Sequence, residues 1–191
     1  MNFEILASEV RFSHLNVRTE NHGDEEVTAI DLKLEWTTSN EVLEQFHPRL
    51  LAALYEAPSE AQQGLTGVPA ARAVRTFSEL APLAWHGEVP AAALVMHHGL
   101  GEGQDLKIGH AAADNFVMTP LDGGTVEVSF RVRAVCEDER ILGRLPLLLH
   151  RSLPMTLTTL AGAGPMARAK GRKGKKKAGA DGQGELLGAA S

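Results

Sequence analysis

Cysteine, aromatic residues and long apolar runs are all scarce in this sequence. The single cysteine, Cys136, excludes an internal disulfide and the common thiolate zinc clusters, so we expect a reducing, cytoplasmic setting. Aromatic residues make up 5% of the chain, which leaves few side chains on which a base can stack. No 18 consecutive residues are apolar, and the opening MNFEILASEVRF carries acidic residues where a secretion signal is basic. We therefore expect no membrane span and no signal sequence.

The sequence also lacks the motifs that mark common active sites. It contains no GxSxG, no HExxH and no paired-carboxylate motif. Cys136 is followed by Glu137, and a neighbouring carboxylate disfavours the thiolate that a nucleophile needs. We therefore expect a protein that is not an enzyme and that holds neither a metal nor a cofactor.

Two groups of residues that suggest a ligand site have simpler interpretations. Gly99, Gly101 and Gly103 resemble a nucleotide-binding loop, but the residues after them, QDLKIGH, predict a strand. A phosphate loop needs a helix N-terminus at that place, so a hairpin turn is favoured. His97 and His98 are adjacent, and on a strand their side chains point to opposite faces. Surface or hydrogen-bonded histidines are therefore favoured over metal ligands.

Positive charge is concentrated at the C-terminal end of the chain. Residues 161–191 contain seven basic and two acidic residues, a formal charge of +5. This leaves 12 basic and 22 acidic residues in 1–160, a formal charge of -10. The terminal segment is rich in glycine and alanine and shows no apolar period, so it cannot bury enough surface to fold alone. We predict one folded domain, residues 1–160, followed by a flexible basic tail, residues 161–191.

The domain is organised around residues 26–54, a strand that runs directly into a helix. Apolar and polar residues alternate through residues 27–36, which is typical of a strand with one buried face. Ser39 or Asn40 then caps a helix, and Pro48 must kink or divide it because proline lacks the amide proton.

Further alternating segments lie on both sides of this stretch. Residues 3–17 predict a first strand, joined to the second by a long polar hairpin connection. Residues 125–135 show the clearest alternation, and a last strand is predicted at 153–160. Before residue 125, separate short strands are predicted around Ile108 and in DNFVMTP, the latter ending at Pro120. We therefore predict a mainly β protein with two helices, whose antiparallel sheet forms an OB-like barrel or a β-sandwich.

Two sets of basic residues favour nucleic-acid binding. The tail set lies within ten positions and can neutralise a phosphate backbone without reading bases. The strand set projects from the polar faces of predicted strands. The tail set consists of Arg168, Lys170, Arg172, Lys173, Lys175, Lys176 and Lys177, and the strand set of Arg11, Lys33, Arg131 and Arg133.

Three aromatic residues are candidates for stacking with bases: Phe12, Trp36 and Trp85. By alternation Phe12 and Trp36 fall on apolar faces, so core positions are favoured for both. The charge of the domain opposes the whole hypothesis, because a body with a formal charge of -10 repels DNA unless its positive groups gather on one face.

Several stretches resemble a group of small tailed-phage proteins encoded among recombination and replication genes. They are EVRFSHLNVRTENHGDEEVTAIDLKLEW, the helix ending in RLLAALY, VMHHGL and LDGGTVEVSFRV, within residues 5–135. The opening is similar to that of phage single-stranded-DNA-binding proteins with an oligonucleotide-binding barrel. The resemblance implies sequence-independent binding of single-stranded DNA in the host cytoplasm, with a recombinase or annealing protein as a further partner. The chain departs from this pattern in its basic tail and in a strand count above five.

Two other functions are compatible with the same division of charge. A virion or assembly protein would use the acidic β-rich body to pack against its own copies and the tail to reach DNA or an acidic neighbour, and it would form large homo-oligomers. An inhibitor that mimics DNA would present the acidic body to a host nuclease.

Overall fold

A computed structural model describes residues 3–57, 72–99 and 104–160 of the chain. Its main element is a seven-stranded antiparallel sheet that nearly closes into a ring. This confirms the mainly β, barrel-like antiparallel architecture that the alternation predicts. None of the helices in these described ranges is long and apolar enough to cross a membrane.

The strands and helices of the described ranges have the following bounds in chain order. The strands are β1 (Ile5–His22), β2 (Glu25–Ser39), β3 (Tyr55–Glu56), β4 (Val74–Arg75), β5 (Leu83–Trp85), β6 (Val89–Met96), β7 (Leu106–Leu121), β8 (Thr125–Val135) and β9 (Ser152–Thr159). The helices are α1 (Leu43–Phe46), α2 (Leu50–Leu54) and α3 (Glu139–Arg144), with 3-10 turns at Asn40–Val42 and Leu145–Leu148.

The main sheet has the strand order β5-β7-β6-β9-β1-β2-β8. Strand β7, second in this order, also pairs with β8, the strand at its far end, and this pairing nearly closes the sheet into a ring. Strands β3 and β4 form a separate two-stranded sheet. The inner face of the ring is therefore enclosed on nearly all sides, while its outer face carries the polar side chains of each strand.

The first hairpin is longer than the sequence predicts. Pairing between β1 and β2 runs from Arg11 opposite Glu35 to His22 opposite Glu25. The polar residues that were expected to form a long connection are therefore paired, and the turn shrinks to two residues. Gly23 in this turn has a φ of 71°, a conformation that glycine adopts without steric cost.

A second correction concerns β7, which is one strand where the sequence predicts two. The register between β7 and β8 shifts between Asp114 and Val117, and Asn115 has a φ of 54°. Such a bulge lets a strand bend without ending. Pro120 does not end the strand either, and it lies one residue before its last residue, Leu121.

The first predicted helix is divided at the proline, as expected. Helix α1 ends at Phe46, α2 begins at Leu50, and Pro48 lies in the turn between them. Ser39 caps the preceding 3-10 turn, because its hydroxyl accepts a hydrogen bond from the Glu41 amide at 3.2 Å. This division, together with α3, gives three short α-helices in the described residues where two were predicted.

The core lies inside the ring and is closed by α1. Phe3 contacts Phe116 and Phe130, with ring centroids 5.0 and 5.3 Å away, and Phe46 of α1 packs on the same cluster. Burial of one such side chain stabilises the fold by about 1.5–3 kcal/mol. The inward residues of β2 and β8 surround this cluster, so the outward residues of the same two strands are fixed on the outer face.

Candidate nucleic-acid interface

The strand set lies on the outer face of three neighbouring strands. Arg11 is on β1, Lys33 is on β2, and the other two arginines are on β8. Lys33 and Arg131 are directly opposite each other in the β2–β8 register. Like charges in opposite positions repel each other, so this face requires carboxylates nearby.

Asp114 supplies the strongest of these carboxylates. Arg131 donates to it from Nε and Nη2, at 2.8 and 3.0 Å, a two-pronged arrangement that also raises the pKa of Arg131. Arg133 Nε lies 2.9 Å from Asp114 Oδ2, and Arg133 Nη2 donates to Glu88 at 3.0 Å. The contact at Nε is an ion pair without hydrogen-bond alignment, since this N–H has no acceptor among the described residues. Asp114 is only 7% exposed, so it is a buried counter-charge for both arginines.

Arg11 and Lys33 have a different environment on the same face. Their side chains are 57% and 55% exposed, and each is near Glu35, at 4.0 and 3.8 Å. Exposed ion pairs of this length contribute about 0–1 kcal/mol. A bound anion can therefore compete for these two side chains at little cost.

One basic residue of this face was missed by the sequence reasoning. Arg18 on β1 donates a hydrogen bond from Nε to Glu20 at 2.7 Å and another from Nη1 to Asp31. The predicted first strand ended at residue 17, so Arg18 was assigned to the connection. Strict alternation from Phe12 would put Arg18 on the apolar face, and it is the register shift between Phe12 and His14 that turns Arg18 to the outer face.

A groove of about 420 Å³ runs along the outer face beside Lys33 and Arg131. An adjoining cavity of about 480 Å³ shares Asn115 and Arg131 with it and extends to Trp85. Both volumes fall within the range of small-molecule sites, about 300–1,000 Å³. The bulge of β7 lies between them, because the shifted register turns the exposed side chain of Asn115 outward.

The walls of this groove are of mixed charge. Lys33 and Arg131 line it together with His14 and the carboxylate of Asp31, while Asp114 lines the adjoining cavity. The groove therefore offers hydrogen-bond donors and acceptors, but it does not present a purely positive surface to a phosphate chain.

The three stacking candidates are not in equivalent positions. Phe12 is 0% exposed and Trp36 is 7% exposed, so both belong to the core, as their alternation favoured. This corrects their assignment as stacking candidates, since neither offers a face to a base. Trp85 is half-buried, packs edge-on against Phe46 at 6.1 Å, and lines the cavity beyond the β7 bulge. The tail set lies outside the described residues.

A hydrogen-bonded chain of three side chains lies on another part of the sheet. His97 Nδ1 is 3.1 Å from an Asp105 oxygen, and His97 Nε2 is 2.9 Å from the Thr156 hydroxyl. Because a carboxylate only accepts, His97 Nδ1 is the donor to Asp105. The chain joins the end of β6 to β7 and β9, and His97 is hydrogen-bonded as the sequence favoured.

Other candidate sites of the sequence are placed as follows. Within 3–57, 72–99 and 104–160, no three His, Cys, Asp or Glu side chains are arranged to hold a metal ion. Cys136 is buried, and burial raises the pKa of its thiol, which opposes a nucleophilic role. Gly99 has a φ of 105°, typical of a turn, while Gly101 and Gly103 lie outside the described residues.

The resemblance to phage single-stranded-DNA-binding proteins rests on the sequence and stays a hypothesis. Comparison of the chain with protein-family models, with curated proteins and with solved structures finds no match.

Proposed function

We propose that this protein binds single-stranded DNA without sequence preference and that it supports phage recombination or replication without being an enzyme. The observation that carries the proposal is the position of Arg11 and Lys33. Both are exposed, both lie on the outer face of the sheet, and Lys33 borders a groove of about 420 Å³.

The tail set supplies most of the attraction in this proposal. Seven basic residues within ten positions release counterions from a phosphate backbone, and each contact with a single strand adds about 0.7 to the salt dependence of binding. This local charge of the tail offsets the repulsion between DNA and the acidic body.

The folded body orients the bound strand more than it attracts it. Arg11 and Lys33 exchange a weak contact with Glu35 for a phosphate, whereas Arg131 stays with the buried Asp114. An unstacked base enters the adjoining cavity of about 480 Å³, where Trp85 offers a partly exposed ring for stacking. Stacking of this kind contributes about 1–3 kcal/mol per base and tolerates any sequence.

Titration of a fluorescein-labelled oligonucleotide by anisotropy tests the proposal. The full-length protein should bind an oligothymidine and a mixed-sequence strand with similar affinity at low salt, and binding should weaken steeply as salt rises. Tryptophan emission should change during the same titration, because Trp85 lines the adjoining cavity while Trp36 is buried. Absence of binding at low salt would end the proposal.

A role in assembly is the second candidate, and one observation favours it. Strand β5 stands at the end of the sheet order, and β7 is its one partner among the described residues. No strand of the described residues pairs with its other edge, so a strand from a second copy can pair there, although three residues make a short edge. Light scattering separates the two functions, because the virion or assembly role requires large homo-oligomers in the absence of DNA.

A further inference from the structure

Three basic side chains converge on one cavity away from the outer groove. Lys107 lies near the start of β7, and Arg140 and Arg144 lie on α3. The cavity they line has a volume of about 230 Å³. This is below the range of about 300–1,000 Å³ typical of small-molecule sites, which favours a single anionic group over a whole nucleotide.

The local structure explains why these side chains meet. Arg140 and Arg144 are four residues apart, so they share one face of α3. Lys107 is exposed between the buried Leu106 and Ile108, so it points outward from β7. Like charges at this helical spacing destabilise a helix slightly, and a bound anion relieves that repulsion.

The carboxylates that border the cavity already have other partners. Asp105 is paired with His97 at 3.1 Å. Asp138 caps α3, because its Oδ1 accepts a hydrogen bond from the Arg140 amide at 2.8 Å. Lys107 and the two arginines of α3 form no ion pair with any carboxylate in the described ranges, whereas every member of the strand set does.

We propose that Lys107, Arg140 and Arg144 form a phosphate site that holds the backbone of bound single-stranded DNA. Arginine side chains bind phosphate oxygens in pairs, and lysine adds a compact third charge. Two carboxylates against three cations leave the lining with a formal charge of +1, so the site accepts an anion without losing an existing ion pair. This inference rests on the proposed function and adds a contact point that is separate from the groove.

A charge-matched pair of variants tests the site in the full-length protein. One variant carries Lys107→Gln, Arg140→Gln and Arg144→Gln. The control carries Arg49→Gln, Arg72→Gln and Arg151→Gln, which are also exposed and also lie outside every ion pair of the described residues. Both variants lose three positive charges, so any difference between them reports the position of the charges and not their number.

The measurement is oligonucleotide anisotropy over a salt series. The site variant should lose on the order of tenfold in affinity at low salt, and the slope of log affinity against log salt should fall by about 2, at about 0.7 per lost contact. The control should change much less, and circular dichroism should show both variants folded. Equal behaviour of the two variants, with binding retained, overturns this site and leaves the proposed function standing. Absence of binding by the wild-type protein overturns both.

Discussion

Two pairs of basic residues on one outer face differ in how their charges are held. Arg131 and Arg133 share Asp114, a buried carboxylate on the β7 bulge, at 2.8–3.0 Å. Arg11 and Lys33 are mostly exposed and lie 3.8–4.0 Å from Glu35. The same residue types on the same face therefore have different roles. The first pair holds β7 to β8, and the second is available to a ligand.

The difference follows from desolvation. A buried carboxylate is tolerable only while its counter-charges stay in place, so removal of one partner costs several kcal/mol. An exposed pair keeps most of its hydration, and its loss costs little. Only exposed cations can therefore change partners when a phosphate arrives.

The largest expected effect is on stability, and it comes from Asp114→Asn. This change leaves two partly buried guanidinium groups without their shared counter-charge, so we expect a loss of about 3 kcal/mol in the free energy of unfolding. Urea denaturation followed by circular dichroism measures it.

The matched control for this variant is Glu35→Gln, which removes the carboxylate of the exposed pair. Its effect on the free energy of unfolding should stay within about 0.5 kcal/mol. If the two variants lose the same stability, the distinction between the two pairs of cations does not hold.

A smaller effect is expected on binding from Arg11→Gln with Lys33→Gln. Two lost phosphate contacts should reduce the slope of log affinity against log salt by about 1.4 and weaken binding severalfold at low salt. The unfolding midpoint should not change, because both side chains are exposed. Binding equal to that of the wild-type protein would assign the outer face to another role.

A further effect concerns two groups in the interior, away from the outer face. Burial raises the pKa of the Tyr55 hydroxyl and of the Cys136 thiol. The unfolded chain therefore ionises first, and stability should fall as pH rises above about 8.5 for the thiol and about 10 for the hydroxyl.

Tyr55→Phe separates the contributions of the two groups. It should remove the loss of stability above about pH 10 and leave the loss above about pH 8.5, which belongs to the Cys136 thiol. The variant should also be less stable at neutral pH by about 1–2 kcal/mol, since the Tyr55 hydroxyl is hydrogen-bonded to backbone groups of Leu121 and Thr125. Denaturation at several pH values checks both outcomes. If the stability of the variant still falls above about pH 10, groups other than Tyr55 cause that part of the pH dependence.

Much of the architecture could be predicted from local sequence patterns. Alternation placed Phe12 and Trp36 inside and Lys33 and Arg131 outside, because side chains of a strand point to opposite faces in turn. The division of the first helix followed from Pro48 alone, since proline cannot donate the amide that the helix needs.

The features that were missed depend on contacts between distant segments. The pairing of Arg131 with Asp114 requires the register between β7 and β8, and no local pattern specifies that register. The bulge at Asn115 joins two expected strands into one for the same reason. The convergence of Lys107 with α3 likewise appears only when β7 and α3 pack together. Local sequence therefore predicted on which face of a strand a side chain lies better than it predicted the ion pairs that the charged side chains form.

The slope of log affinity against log salt tests the central claim most directly, in the full-length protein and in a variant with all seven basic residues of the tail set changed to glutamine. The account predicts that the variant's slope is smaller by up to about 5, at about 0.7 per contact, and that it retains the weaker binding of the exposed body cations. An unchanged slope would contradict the account, because it would place the attraction for DNA outside the tail.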